Sequence, residues 1–184
     1  KKTKMYKITI ITISLFFSFN IWSQDSLNIK NNFYKQQQNS LLLLSGWSAT
    51  NLVASPVFCK NLYSAESQSD YFHQMNFNWN LINAGICGLS HFLVHRDSKK
   101  TWNLNDILYR KSKAEKSITL NMGLDILYVI TGFVLNQTAN ENKGNFNINK
   151  GYGNSLMIQG GYLLLYDAIF LKRLKKIKVP PKFD

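Results

Sequence analysis

The chain has 184 residues, which is enough for one domain and little more. Hydrophobic residues make up 45% of it and the mean hydropathy is -0.18, an average that suits a soluble protein, but the apolar residues are concentrated in long runs. The formal net charge of +12 comes from Lys and Arg residues that cluster beside those runs. This placement indicates contact with anionic lipid headgroups and argues against nucleic acid as a partner.

Residues 1–23 have the layout of a secretory signal peptide, with lysines at the start, an apolar stretch over 8–19 and a small residue at Ser23. Cleavage is predicted between Ser23 and Gln24. An uncleaved anchor helix is the alternative, because Ile21 and Trp22 make a poor cleavage site. Residues 24–39 are interpreted as a polar lead-in.

Four later segments are apolar and long enough to cross, or nearly cross, a bilayer as helices, which takes about 20 residues. They are 40–58, 72–95, 117–136 and 152–171, and none contains Lys or Arg. The connectors are charged and rich in turn-forming residues. The predicted fold class is therefore all-α, a membrane four-helix bundle over 40–171 that follows the signal peptide or anchor helix and precedes a basic tail, 172–184.

The expected location is the inner membrane of a bacterial envelope, but two signals conflict over orientation. The positive-inside rule places the second connector and the tail in the cytoplasm, whereas a signal peptide places the residues after it outside. Either 40–58, which Pro56 interrupts, does not fully cross, or the charge bias does not report the topology of this chain. Orientation is left open.

A small outer-membrane β-barrel is the alternative fold, because residues 75–81 alternate apolar and polar side chains. The alternation then stops, and longer runs such as LYVITGFVL do not alternate. An apolar stripe continues instead at the helical steps of three and four. Its members are Phe72, Met75, Trp79, Ile82, Ile86, Leu89 and Leu93.

Each predicted helix also carries a polar or small face, and an unpaired amide in hydrocarbon is costly, so these faces are expected to meet in the interior of the bundle. On the second helix the polar stripe is His73, Asn76, Asn80, Asn83, Cys87 and Ser90. The predicted binding residues are the central members of the network: Asp125, His73, Asn76, Asn80, Asn121 and Gln159.

Asp125 lies near the middle of its segment, where a charged side chain costs at least about 2.5 to 3.5 kcal/mol on insertion scales. One interpretation is an acid that handles protons or cations, and the other is a protonated or amide-paired structural acid. Asp167 lies near Lys172 and Arg173 and is interpreted as interfacial.

No catalytic signature, phosphate loop or dinucleotide fingerprint is present, so no enzyme activity is expected. His91 and His95 have the spacing of helical metal ligands, but a two-His site lacks its remaining ligands. Haem would need axial ligands from two directions, and all three histidines lie on one segment. Neither a metal nor a cofactor is therefore predicted.

Three blocks are distinctive: YFHQMNFNWNLINAGI, EKSITLNMGLDILYVITGFVL and GYGNSLMIQGGYLLLYDAIF. They resemble the signature blocks of an uncharacterised bacterial family of small multi-span membrane proteins, a domain of unknown function, above all in FHQMN followed by Trp79 and Asn80. The similarity covers about 36–172. This sequence departs from the family at 51–56, where the family is usually richer in glycine. It implies a membrane address and four helices, and no activity.

Two functions fit these observations. The first is a non-enzymatic structural or assembly module of the envelope, which packs against a second copy or a membrane partner protein. The second is a membrane protein that binds a small ligand, proton or cation at Asp125.

Overall fold

The computed structural model describes residues 2–59 and 61–178, with side chains from Ser26 onward. Four helices follow one another along this part of the chain: α1 (Lys2–Phe58), α2 (Gln68–Ser98), α3 (Leu104–Gln137) and α4 (Phe146–Lys175). The all-α, four-helix prediction is confirmed. The signal-peptide prediction for 1–23 falls outside the residues whose side chains are described.

The β-barrel alternative is not supported, because no described residue lies in a strand and the alternating stretch 75–81 lies inside α2. The polar residues of this stretch lie in two different environments, whereas a strand would place all of them on one face. Asn76 and Asn80, four residues apart, are both buried, whereas Asn78 between them is exposed. Burial at every fourth position is the helical period, so the short alternation is a coincidence of composition.

Polar residues at the start of α2 and α3 set where these helices begin. Ser67 and Asp70 form a reciprocal capping box, in which the Asp70 amide donates to Ser67 Oγ at 3.1 Å and the Ser67 amide donates to Asp70 Oδ2 at 3.2 Å. Asn103 Oδ1 accepts from the Asp106 amide at 2.8 Å. Both caps lie in segments that were predicted as connectors.

The helices extend beyond the predicted apolar segments. The polar lead-in 24–39 belongs to α1, and α3 begins at Leu104 within the charged second connector. The reason is a buried apolar cluster that includes Ile29 and Phe33 of α1 and Ile107 and Ile118 of α3. These few apolar side chains provide a packing face for segments that are otherwise polar.

The four helices run antiparallel, so the bundle has two ends. At the first end, here called the basic end, the start of α3 packs against the ends of α2 and α4 and against Ile29 of α1. The residues in contact belong to the apolar cluster, which includes Val94, Ile107 and Leu174. At the opposite end the Cys59 thiol contacts the Asp70 carboxylate at 3.4 Å. Lysines and arginines at the basic end include Arg96, Lys99, Lys100, Arg110, Lys111, Lys113, Lys172, Arg173 and Lys175.

Glycines let α3 and α4 approach closely. A Cβ added to Gly132 would lie 2.5 Å from the Gly153 carbonyl oxygen, and one added to Gly153 would lie 2.7 Å from the Gly132 oxygen. α1 packs on α2, and α2 packs on α4. Among the described residues no Cα atoms of α2 and α3 come within 8 Å of each other. A gap between α2 and α3 follows from this order of packing.

Two stretches of the described chain, Ser26–Phe58 of α1 and the whole of α3, are long and apolar enough to cross a membrane by length and composition. Four spans were predicted. α2 and α4 fall short because amide, hydroxyl and glycine residues lower their mean hydropathy, and many of these residues are buried inside the bundle.

Candidate functional site

Five polar side chains from three helices form one hydrogen-bonded group, here called the amide cluster: Trp47 and Asn51 of α1, Asn76 of α2, and Ser155 and Gln159 of α4. Gln159 is at its centre. Its Nε2 donates to Asn76 Oδ1 at 2.9 Å and to Asn51 Oδ1 at 3.4 Å, and its Oε1 accepts from Trp47 Nε1 at 2.9 Å. Ser155 Oγ donates to the same Asn76 oxygen at 2.6 Å.

Helical spacing explains how the amide cluster forms. Ser155 and Gln159 are four residues apart and face α2 together, and both are fully buried. The Trp47 ring stacks on Tyr162 at a centroid separation of 3.9 Å, which holds the indole N–H over Gln159. No member of the cluster is ionisable in the physiological range, so it can hold helices together by hydrogen bonds alone.

Asn80 continues the buried stripe one turn beyond Asn76. Its Nδ2 donates to the Asn76 backbone carbonyl at 2.8 Å, while its Oδ1 is buried without a hydrogen-bond partner. A fully buried amide that is only half satisfied is uncommon in native proteins. Asn80 is therefore part of the polar interior without joining the side-chain contacts of the amide cluster.

A second polar region lies in the gap between α2 and α3, and it is here called the acid cavity. Its volume is about 400 Å³. Asp125 of α3 and Asp167 of α4 line it, and both are nearly fully buried, at 4% and 6% exposure. The remaining polar and aromatic lining residues are Trp79, Asn83, Asn121, Tyr128 and Tyr166.

The six predicted binding residues thus divide between separate places. Asn76 and Gln159 bond directly in the amide cluster, and Asp125 and Asn121 line the acid cavity. Asn121 is exposed, at the point where the acid cavity adjoins a second one. His73 is not joined to either group, since its ring contacts are with Phe58 and Phe72 toward the opposite end.

Asp167, which the sequence placed near the membrane interface, is a second buried acid beside Asp125. Its side chain is buried beside the acid cavity, close enough to Asp125 for the two carboxyl groups to interact electrostatically. Asp167 lies two helical turns after Gln159, on the inward side of α4, and this spacing was a signal that could have placed it.

The α2–α3 turn at the basic end carries the most charged contacts. Asp97 accepts hydrogen bonds from Lys100 Nζ at 2.8 Å and Arg110 Nη1 at 3.1 Å, and the Arg110 guanidinium stacks 3.7 Å above the Trp102 ring. The hydrogen bond from Lys100 lowers the pKa of Asp97 from its ordinary value. These contacts fix the turn that starts α3.

Three members of the amide cluster, Trp47, Asn51 and Ser155, were not among the predicted binding residues. A Trp in an apolar run gives no sign that its N–H points inward, as that of Trp47 does. Ser155 could have been found, because it precedes Gln159 by one helical turn.

A family model described as a family of unknown function (DUF6992) matches residues 43–168, and the chain belongs to this family. The matched region contains the whole amide cluster and both carboxylates of the acid cavity. No curated protein and no solved structure matches the chain.

Proposed function

We propose that this DUF6992 member is an integral protein of the inner membrane, a non-enzymatic four-helix module that serves structure or assembly in the cell envelope. The observation that carries the proposal is an inverted pattern of burial in the middle of the bundle. There the buried residues are polar, including Asn76, Asn80, Ser155 and Gln159. The exposed ones are large and apolar.

The exposed apolar residues cover the outside of all the helices along the middle of the bundle. They include Leu43, Val53, Leu81, Leu89, Leu120, Leu127, Ile130, Phe133, Ile158 and Leu165. Soluble monomers rarely expose continuous apolar surface on this scale. In a bilayer the same surface contacts acyl chains, and the buried amides satisfy one another as hydrocarbon requires.

The length of the apolar band also fits a bilayer. Lys and Arg are absent from 117–137 of α3 and 151–171 of α4, and each stretch extends roughly 30 Å at the helical rise of about 1.5 Å per residue. The hydrocarbon core of a bilayer has about the same thickness. Stretches without Asp, Glu, Lys or Arg cover 36–58 of α1 and 71–94 of α2, so each of the four helices has a stretch of suitable length.

The basic end provides a comparison within the same chain. There the pattern is that of a water-soluble protein, with Ile29, Phe33, Ile107 and Leu174 buried and the charged residues outside. The pattern of burial changes along the helices at the point where Lys and Arg residues begin. We propose that this end projects from the membrane, contacts anionic lipid headgroups and, by the positive-inside rule, faces the cytoplasm.

Cysteine labelling tests the membrane position at two matched sites. Leu81 in the middle of α2 is 57% exposed and Tyr109 at the basic end is 69% exposed, so a water-soluble maleimide reaches both if the bundle is surrounded by water. In opened membranes that carry the full chain without its native cysteines, we expect Tyr109→Cys to be labelled and Leu81→Cys to be protected at least tenfold. Both should react after denaturation in detergent.

Equal labelling of the two sites in opened membranes would contradict the proposal, because Leu81 would then face water. Retention of the protein in the membrane pellet after alkaline carbonate extraction is the second expected result. Release into the supernatant would indicate a peripheral protein and would count against the proposal on independent grounds.

A second candidate function is the binding of a small ligand or cation by the membrane-embedded bundle. The acid cavity favours it specifically, because Asp125 and Asp167 are buried there without Lys or Arg among the lining residues. A module with a purely structural role gains nothing from two acids in such a place.

A further inference from the structure

The two carboxylates of the acid cavity have no partner among the described residues. Asp125 and Asp167 are 4% and 6% exposed, and neither forms a hydrogen bond or an ion pair in that part of the chain. Native proteins pair nearly all buried polar groups, and an unpaired buried charge is the costliest case. Two unpartnered carboxylates that line one cavity therefore indicate an occupant.

The chemistry of the lining selects the class of occupant. Asp125 and Asp167 supply carboxylates, and no described Lys or Arg lines the cavity to balance them. Besides aliphatic side chains the walls include the rings of Trp79, Tyr128 and Tyr166, and the first two are in edge contact with their centroids 4.7 Å apart. Hard divalent cations take six or more oxygen ligands, whereas an organic ammonium pairs with carboxylates and lies against aromatic faces.

The size of the acid cavity limits the ligand further. A volume of about 400 Å³ lies in the range of small-molecule sites, and the two carboxylates need a positive charge on the occupant. We propose that the acid cavity binds a small organic ammonium ion.

A second cavity, of about 460 Å³, adjoins the acid cavity on the side of the basic end. It shares Asn121, Tyr166 and Asp167 with the acid cavity and extends to Asp97, Arg110 and Lys113. Asp97 is paired with Arg110, which reduces the repulsion that a cation meets from that guanidinium, whereas Lys113 adds a positive charge. This is the side from which a dissolved ligand would enter.

This inference rests on the proposed membrane position, and the binding experiment is arranged so that the two can fail separately. The full chain is reconstituted in phosphatidylglycerol nanodiscs, whose lipid carries no ammonium group. Calorimetric titrations use 5-aminopentan-1-ol and, as the neutral molecule of the same length, pentane-1,5-diol. We expect saturable binding of the amino alcohol with one site per chain, and no measurable binding of the diol.

Two substitutions give the residue-level test. Asp125→Asn should weaken binding of the amino alcohol at least tenfold, since it removes the charge that faces the ammonium. Asp106→Asn makes the same change at an exposed position of the same helix and should leave the affinity unchanged. Asp167→Asn serves as the second cavity variant, with a smaller expected loss, if circular dichroism shows that Asp125→Asn is unfolded.

A titration in nanodiscs of a second lipid composition identifies the source of the ammonium group. If phosphatidylethanolamine in the nanodisc weakens the apparent affinity for the amino alcohol, the headgroup itself competes for the cavity, and if it does not, the ligand is a dissolved amine. Equal binding of the amino alcohol and the diol, or unchanged affinity in both Asp125→Asn and Asp167→Asn, would overturn the inference. Absence of binding together with a protected Leu81→Cys would overturn the cavity assignment and leave the membrane module intact.

Discussion

Replacing Gln159 by Leu removes the centre of the amide cluster while it keeps most of the side-chain volume. The substitution eliminates two short interhelical hydrogen bonds, from Trp47 Nε1 and to Asn76 Oδ1, each 2.9 Å long. Such bonds average about 0.6 kcal/mol each in membrane proteins. The half-buried Trp47 N–H is also left unpaired. An unsatisfied buried donor costs about 1 to 3 kcal/mol, and the lower value of about 1 kcal/mol applies because Trp47 is only half buried. The expected loss is therefore about 2 kcal/mol in the free energy of unfolding.

The measurement is an SDS titration of the protein in mixed micelles, followed by far-UV circular dichroism. The matched control is Gln137→Leu, because Gln137 is exposed at the end of α3, and its effect should stay within about 0.5 kcal/mol. If Gln159→Leu were no more destabilising than Gln137→Leu, the amide cluster would not hold the bundle together. The proposed structural role would then lose its physical basis.

Two further predictions concern packing and charge. Gly132→Ala should destabilise the bundle by about 1 to 3 kcal/mol because its Cβ would meet the backbone of α4, whereas Gly123→Ala on the same helix has open space and should be neutral or stabilise by up to about 1 kcal/mol, as detergent unfolding titrations would show. A neutral result for Gly132→Ala would contradict the close approach of α3 and α4. Because the pKa of Asp97 is lowered in the folded chain, its carboxylate stabilises the fold above the unfolded pKa, and this contribution is lost as the pH falls through the folded value. Asp97→Asn should therefore cost about 0.5 to 1 kcal/mol at neutral pH, and equilibrium unfolding at about pH 3 should show a smaller difference from wild type; a difference that does not change with pH would exclude the charge as its cause.

The sequence predicts the helices and their inward faces well, because both follow from the helical period. Asn76 and Gln159 were expected to meet across helices, and they do so at 2.9 Å. The order of helix packing is a different kind of information. Spacing determines which residues share a face, but it does not determine that α2 packs on α4 and stands apart from α3. The separation of Asp125 from Asn76 into two sites results from that order.

The helix boundaries were underestimated for a related reason. In the lead-in and the second connector, charged and amide residues outnumber apolar ones, and this composition suggested loops. Ile29 and Phe33 are four residues apart, and Ile107, Ala114 and Ile118 recur at steps of seven and four, which is enough to pack one narrow helix face. Average composition hid the periodic signal by which these parts of α1 and α3 pack as helices.

The two polar regions differ in a way that bears on function. The amide cluster joins three helices with neutral side chains alone, so assembly of the bundle does not require a charge. In the proposed bilayer a charged Asp125, near the middle of its helix, would cost at least about 2.5 to 3.5 kcal/mol, and in the part of the chain that the structure describes neither Asp125 nor Asp167 forms an ion pair. Asparagine at both positions would serve a structural role at lower cost. The acids are therefore better explained by something that the bundle binds than by the bundle itself.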